Sequence, residues 1–258
     1  RGVYPGEVNE DAARAICDPV VRTPVIPLGP RILLNLETLQ PIGSFKIRGA
    51  LNAIRALPAE RLSRGVYTAS AGNMAQGVAW VARARGIPCT VVVPDHAPRA
   101  KLDAIERLGA RFIVVPFDRW WQIIIEHRYE ELDGAFIHPV CDPEVIAGNA
   151  TIGLEILEDL PGGAAILVPY GGGGLSSGIA SAVRACAPAV NVLACEVDTA
   201  APLAPSLAAG EPREVTYTLP ESWNGTRTVM AVAVAPDAIG VFEKHARVRG
   251  DFVISPNP

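Results

Sequence analysis

The sequence predicts an α/β fold in which helices cover both faces of parallel sheets. Short apolar runs alternate with longer amphipathic segments along most of the 258 residues, and this alternation is typical of right-handed βαβ units. The apolar runs are continuous, as in residues 89–93 with their three consecutive valines. Continuous apolar strands indicate burial on both faces, which is the environment of a parallel sheet.

The predicted elements begin with a helix over residues 9–17, a strand over 31–36 and a helix over 46–56 that Pro58 ends. A strand over 66–69, a helix over 73–85, a strand over 89–93 and a helix from N1 residue Pro98 to about residue 108 follow. Next come a strand over 112–115, a helix over 119–132 and a strand over 135–138. Asp142 is predicted to cap a helix that ends at about residue 160. A strand over 164–168, a helix over 175–183, a strand over 190–197 and a final strand over 249–255 follow.

Composition and charge exclude several functional classes. The chain is 49% hydrophobic and 19% charged with a net charge of −4, which argues against a surface for nucleic acid or anionic membranes. No apolar run reaches about 18 residues, so no transmembrane helix is predicted, and the N-terminus does not resemble a signal peptide. The five cysteines lack C-x-x-C spacing and the four histidines lack metal-ligand spacing. We therefore expect a cytoplasmic protein with neither disulfides nor a bound metal.

The first candidate functional stretch surrounds Lys46. Ser44 is a predicted N-cap, and from Ile47 on apolar residues recur at helical spacing, so Lys46 begins a helix near its apolar side. A lysine held there is desolvated, which lowers its pKa towards neutrality. A neutral amine can form a Schiff base or take up a proton. For Lys46 considered alone, a snorkelling surface lysine is the favoured alternative.

The second candidate stretch is a glycine loop between a predicted strand and a predicted helix. It consists of Gly171, Gly172, Gly173 and Gly174, followed by Leu175. Backbone N–H groups at such a helix start form an anion site, and glycine lets a phosphate approach the backbone. Neither a Lys-Ser/Thr pair nor G-x-G-x-x-G spacing is present, so the phosphate is not expected to belong to ATP or NAD. The alternative is a flexible loop.

The third candidate stretch also follows a predicted strand and opens a helix. Ser70, Gly72 and Asn73 offer backbone and side-chain hydrogen bonds there, although small polar residues commonly cap helices. An activated lysine, a separate cup for one phosphate and a polar helix start together suit pyridoxal phosphate.

With these stretches the chain resembles the threonine/serine dehydratase branch of the fold-type II pyridoxal-phosphate enzymes, the group whose fold is like that of tryptophan synthase β. The resemblance rests on residues 44–50, 70–77, 145–148 with 153–155, and 171–174, and it covers roughly residues 15–215. It implies two parallel-sheet α/β domains with the cofactor between them. The larger comprises residues 1–64 and 143–258, and the smaller, mobile one comprises residues 65–142. Compared with the family, the part after about residue 219 looks incomplete.

The resemblance also implies residue roles. Lys46 carries the Schiff base and moves the substrate's α-proton, Phe45 packs near the pyridine ring, and Ser255 faces the pyridine nitrogen. Asn73 hydrogen-bonds the cofactor's 3′-oxygen. The substrate carboxylate is held by Ser70, Ala71, Gly72 and Asn73. The phosphate is held by Gly171, Gly172, Gly173, Gly174 and Leu175. In metal-activated relatives three positions bind a cation; here they are Glu196, Ala200 and Pro202, so no metal is expected.

The implied activity is that of an ammonia-lyase converting L-threonine, L-serine or both to a 2-oxo acid and ammonia by eliminating the β-hydroxyl. The resemblance also implies a homodimer whose substrate is a small amino acid. Racemases of the family use a serine where this chain has Ala71, so no racemase activity is expected. Two alternatives stay open: a β-replacing enzyme of the cysteine-synthase type, and a catalytically dead metabolite-binding homologue.

Overall fold

A computed structural model of the chain describes residues 20–163, 165–196, 225–235 and 238–248. The predicted helix over 9–17, the predicted strand over 249–255 and Ser255 lie outside these residues. So do two of the three positions considered for a metal, Ala200 and Pro202.

Apart from a short helix at Ala59–Leu62, which was not predicted, the helices of the described ranges overlap their predicted positions. They are α1 (Lys46–Ala56), α2 (Ala59–Leu62), α3 (Asn73–Ala84), α4 (Arg99–Arg107), α5 (Phe117–Glu126), α6 (Pro143–Asp159) and α7 (Gly174–Cys186), with a 3-10 turn at Glu37–Leu39. The strands are β1 (Val25–Gly29), β2 (Ile32–Asn35), β3 (Val66–Ala69), β4 (Cys89–Pro94), β5 (Arg111–Val115), β6 (Ala135–Phe136), β7 (Ala165–Pro169), β8 (Asn191–Glu196), β9 (Gly225–Ala235) and β10 (Ala238–Val248). Among the described helices, none has the length and apolarity that crossing a membrane requires.

The first sheet is parallel throughout, as predicted. Its strand order is β5-β4-β3-β6, and β3 pairs in parallel with both β4 and β6. All four residues of β3 are buried, as the continuous apolar pattern required. Because the strands are parallel, their carboxyl ends meet at one edge, where ligands bind in α/β folds.

The second sheet only partly follows the prediction. Its order is β10-β9-β8-β7, and β7 pairs in parallel with β8. The prediction of a fully parallel sheet is wrong for β9 and β10, which pair antiparallel. Only two residues join β9 to β10, and a connection that short cannot make the crossover that parallel neighbours need. A separate antiparallel hairpin of β1 and β2 precedes both sheets.

The boundaries of two helices differ from the prediction. Helix α5 begins at Phe117 and ends at Glu126, whereas a helix over 119–132 was expected. His127 ends it by adopting a left-handed conformation with φ of 55°, a helix terminus that glycine usually provides and that sequence therefore does not indicate. At the start of α4, Pro98 is the extended N-cap residue rather than the first helical residue.

Helices α1, α6 and α7 pack closely because glycines face their neighbours at the crossings. A side chain at Gly148 of α6 would overlap the carbonyl of Arg48, and a Cβ at Gly178 of α7 would lie 2.6 Å from the carbonyl oxygen of Ile146. The Arg48 side chain is 1% exposed and bridges Glu37 at 2.8 Å and Glu155 at 2.7 Å. These contacts fix the start of α1, which carries Lys46, relative to α6 and α7.

Candidate active site

Lys46 is the first residue of α1, and burial determines the state of its amine. Its Nζ donates a 2.8 Å hydrogen bond to the carbonyl oxygen of Pro139 and lies 5.3 Å from the centre of the Phe45 ring. In the described part of the chain it makes no salt bridge. Desolvation lowers the pKa of Lys46 from 10.5 to about 8. The amine is therefore far more often neutral than that of a surface lysine.

The start of α1 corrects one prediction. The N-cap residue is Phe45, whose backbone is already helical, and not Ser44. The Ser44 hydroxyl nevertheless accepts a 3.3 Å hydrogen bond from the backbone N–H of Lys46. Since the first N–H groups of a helix lack intrahelical partners, this bond still holds the chain at the lysine.

The glycine loop lies between β7 and α7 and is shaped by contact with Val140. Gly173 has a φ of +86°, which disfavours any side chain. A Cβ at Gly172 would lie 2.8 Å from a Val140 methyl, and one at Gly174 would lie 2.9 Å from the Val140 carbonyl oxygen. A Cβ at Gly171 would meet no atom within 4 Å. The loop is thus packed on one side and open on the other, beside the positive end of α7.

The polar loop after β3 packs against the start of the lysine helix. Ser70 accepts a 3.1 Å hydrogen bond on its hydroxyl from the N–H of Gly72, and Asn73 begins α3 with an exposed side chain. A Cβ at Gly77, one turn further on, would lie 3.3 Å from the carbonyl oxygen of Lys46. The first turns of α3 and α1 are therefore in close contact.

The three predicted stretches thus converge, and residues that sequence reasoning had not singled out connect them. Pro139 binds the amine of Lys46, and its neighbour Val140 packs on the glycine loop. His138 fixes this turn through two backbone hydrogen bonds to its ring. Asn149 of α6 is fully buried and donates 3.1 Å to the carbonyl oxygen of Gly174. The position of this turn could have been noticed in the sequence. It follows β6, and because β6 is parallel to β3, the turn lies at the same edge of the sheet as the Ser70–Asn73 loop.

Ser255 and Leu175 were predicted as site residues, whereas Glu196 was considered only as one position of a metal site that was not expected to form. Ser255 lies outside the described residues. Leu175 is half-buried on α7 and packs against the apolar cluster around Val168. Glu196 is 8% exposed at the end of β8, and the part of the chain that the structure describes contains no group of three or more potential metal ligands.

The arrangement suits a ligand with one phosphate and one carbonyl group. The open side of Gly171 and the N-terminal N–H groups of α7 can bind an anion that approaches the backbone closely. The partly neutral amine of Lys46 can add to a carbonyl carbon. These observations agree with the predicted cofactor, pyridoxal phosphate.

Comparison with known proteins identifies the class. The family described as pyridoxal-phosphate dependent enzyme matches residues 16–254, and the chain belongs to this family. It is 46% identical over 190 residues to an L-threonine ammonia-lyase from Thermotoga maritima, covering 72% of this chain and 47% of that relative. The predicted resemblance to the threonine/serine dehydratase branch and the predicted cofactor of the family are thereby confirmed.

Solved structures confirm the fold class. Maize serine racemase has a TM-score of 0.74 and 35% identity, covering 84% of this chain and 69% of that one. A T.th. threonine deaminase has a TM-score of 0.69 and 38% identity, covering 81% and 70% respectively. The chain spans about half the length of the curated threonine ammonia-lyases that it matches.

Proposed function

We propose that this protein is a pyridoxal-phosphate-dependent ammonia-lyase that converts L-threonine, L-serine or both to a 2-oxo acid and ammonia. The observation that carries the proposal is the amine of Lys46, half-buried, without a salt bridge among the described residues, and held beside an open glycine loop. The names of similar proteins, L-threonine ammonia-lyase and threonine deaminase, support the same reaction.

Each stretch has a distinct task in this proposal. Gly171–Gly174 and Leu175 bind the cofactor phosphate through backbone N–H groups at the start of α7. Asn73 donates to the cofactor ring oxygen, Phe45 packs near the ring, and Ser255 faces the ring nitrogen. The N–H groups of the Ser70–Gly72 loop bind the substrate carboxylate. Pyridoxal phosphate, when bound, withdraws electrons from the bonds at the substrate's Cα.

Lys46 performs the proton transfers of the reaction. With a pKa of about 8, its amine can accept the Cα proton near neutral pH and release it again, as a general base requires. Removing that proton leads to loss of the β-hydroxyl, and water then releases the 2-oxo acid and ammonia. The carbonyl of Pro139, 2.8 Å from Nζ, is an acceptor that orients the free amine.

The decisive experiment measures products from a panel of β-hydroxy amino acids. The cofactor-loaded protein is expected to release 2-oxobutanoate from L-threonine or pyruvate from L-serine, each with equimolar ammonia. Lys46→Ala should lose this turnover while its fold and noncovalent cofactor binding survive. If Lys46→Ala retained a tenth of wild-type turnover, a barrier change of only about 1.4 kcal/mol, the role of Lys46 would be wrong.

The two alternatives are distinguished by adding an activated serine and a thiol to this assay and by recording the cofactor absorbance. A β-replacing enzyme would consume an activated serine and an added thiol without releasing ammonia. A binding protein without catalysis would show a cofactor absorbance change on adding serine or threonine, and no 2-oxo acid. Either result would replace the lyase proposal.

The proposal includes assembly as a homodimer and a cytoplasmic location, both drawn from the resemblance to the family. It includes the two-domain division at residues 64/65 and 142/143, which follows the two sheets. Light scattering would test the dimer, and cell fractionation would test the location. Limited proteolysis, expected to cut first near these boundaries, would test the domains.

A further inference from the structure

His138 is a buried histidine two residues beyond the end of β6, and both of its ring nitrogens have partners. Its side chain is 5% exposed. Nδ1 lies 3.0 Å from the backbone nitrogen of Val140 and 2.8 Å from that of Cys141. Nε2 lies 3.2 Å from the carbonyl oxygen of Ile124. The ring therefore links the turn after β6 to the end of helix α5.

These partners determine which nitrogen carries the proton. Backbone N–H groups can only donate, so Nδ1 must be an acceptor with its lone pair towards the turn. A carbonyl oxygen can only accept, so Nε2 must carry the hydrogen. The neutral Nε2–H tautomer is the one form that satisfies all three contacts, since a protonated ring would place a hydrogen between Nδ1 and two other donors.

The turn that His138 holds contacts two parts of the candidate site. Its second residue, Pro139, is buried and accepts the hydrogen bond from Lys46 Nζ. Its third residue, Val140, lies against Gly172 and Gly174 of the glycine loop. A shift of this turn would therefore move the carbonyl that binds the Lys46 amine and would also change the shape of the glycine loop.

We propose that His138 is a positioning residue, whose neutral Nε2–H tautomer fixes the 138–141 turn and thereby the spacing between the Lys46 amine and the glycine loop. The inference rests on the proposed function, in which those two groups bind one cofactor. It assigns His138 no contact with cofactor or substrate.

The electrostatic surroundings agree with a neutral ring. Burial, and then the nearby His127 and Lys46, lower the pKa of His138 to about 4, against the raising effect of the bond to Ile124. Asp142 is the facing acidic group, and burial raises the pKa of its carboxyl. His138 is therefore unprotonated throughout the neutral range.

The test compares two substitutions that each keep a different half of the ring. In His138→Asn the amide oxygen takes the place of Nδ1 and can still accept from Val140 and Cys141. In His138→Gln the amide reaches the place of Nε2, which leaves those two N–H groups without an acceptor. His127→Asn is the matched control. Its ring centre is 4.2 Å from that of His138, but among the described contacts it makes no hydrogen bond to the turn, and asparagine tolerates its left-handed backbone.

The readout is cofactor capture by cofactor-free protein, followed by visible absorbance and by mass spectrometry of the borohydride-reduced adduct at Lys46. We expect His138→Gln to slow capture at least about tenfold, equal to about 1.4 kcal/mol. His138→Asn and His127→Asn should capture cofactor within about twofold of wild type. Rescue by asparagine but not glutamine is a pattern that general loss of packing would not give.

Three results would overturn the proposal: capture by folded His138→Gln at the wild-type rate, loss of capture by folded His138→Asn, or an imidazole ¹⁵N spectrum of the wild type showing the Nδ1–H tautomer at pH 7. The spectrum is recorded on the wild type, so it tests the proposed tautomer even if a variant does not fold. A failure of the lyase proposal is distinguishable, because it would appear as absent 2-oxo acid release in a wild type that still captures cofactor.

Discussion

At the scale of single residues, the basicity of Lys46 has one dominant cause. Loss of solvent around the amine lowers the pKa of Lys46, and in the described residues no neighbouring salt bridge counteracts it. Its partner is the carbonyl of Pro139, which accepts a hydrogen bond without carrying a charge. Even without a cofactor, the amine is consequently neutral more often than that of a surface lysine.

The rate of cofactor capture should therefore rise with pH and level off above about pH 8. The neutral amine is the reacting form, and its share saturates once the pH exceeds the pKa of Lys46. Stopped-flow absorbance after mixing with pyridoxal phosphate measures this rate. Lys46→Arg is the control, since guanidinium stays protonated and should give no adduct. A rate that still climbs steadily to pH 10 would indicate an ordinary surface lysine.

Replacing Ala71 by serine should raise the formation of D-serine from L-serine. Racemisation needs a proton donor on the face of the cofactor opposite to the lysine, and alanine has none. The adjacent Ser70 is a poor substitute, because neighbouring residues of a loop need not point the same way and its hydroxyl is held beside the N–H of Gly72 at 3.1 Å. Chiral chromatography of L-serine incubations compares D-serine with pyruvate. Wild-type D-serine at a rate comparable to pyruvate would contradict the expectation of a lyase without racemase activity.

Among the elements, the boundaries that sequence predicted are those set by local chemistry. Helix α6 begins after Asp142, whose carboxylate accepts from the N–H groups of Glu144 and Val145, and helix α1 starts at Lys46 as its apolar period indicated. The end of α5 was missed because His127 adopts a left-handed conformation that tertiary contacts select. Pairing of β9 with β8 was also missed, since strand direction depends on partners distant in sequence.

The candidate site shows the same difference between features set by local sequence and features set by contacts distant in sequence. Lys46, Asn73 and the glycine loop could be predicted because each stands at a helix start with its own sequence pattern. His138 and Asn149 could not, because their importance depends on what they contact across the fold. His138 bonds to Ile124 on another element, and Asn149 bonds to Gly174, 25 residues away.

Gly171→Asp should abolish cofactor binding while preserving the fold. A Cβ there meets no protein atom within 4 Å, so the new side chain causes no clash, but its carboxylate would face the phosphate. Gly163→Asp is the matched control, because Gly163 precedes the same strand β7 at its opposite end. Equilibrium dialysis with pyridoxal phosphate, alongside thermal unfolding, measures both properties. Equal cofactor affinity in the two variants would argue against a phosphate at this loop.

At the scale of the whole molecule, stability should fall as the pH decreases from about 6.5 towards 4. Burial lowers the pKa of His138 in the native state to about 4, so below 6.5 the unfolded chain takes up a proton that the native chain does not. From this group alone the free energy of unfolding should drop by about 2 kcal/mol between pH 7 and pH 5.

Urea unfolding of wild type and His138→Asn at both pH values would measure this effect. The variant lacks the titrating ring, so its loss of stability over the interval should be smaller by about that amount. Asp142, with its raised pKa, is present in both proteins, so its own contribution cancels in the comparison. Identical pH dependence in the two proteins would mean that His138 is not held neutral in the folded state.

The long separations within the site have a consequence for how the protein is made. Lys46 and Pro139 are 93 residues apart, and Arg48 and Glu155 are 107 residues apart. At ribosomal speeds of about 5–20 residues per second, the lysine helix emerges roughly 5–20 s before the residues that bury and align it. During that interval the amine is an ordinary hydrated lysine. The nascent chain thus acquires the buried environment of Lys46 only after Pro139 and Glu155 have been synthesised.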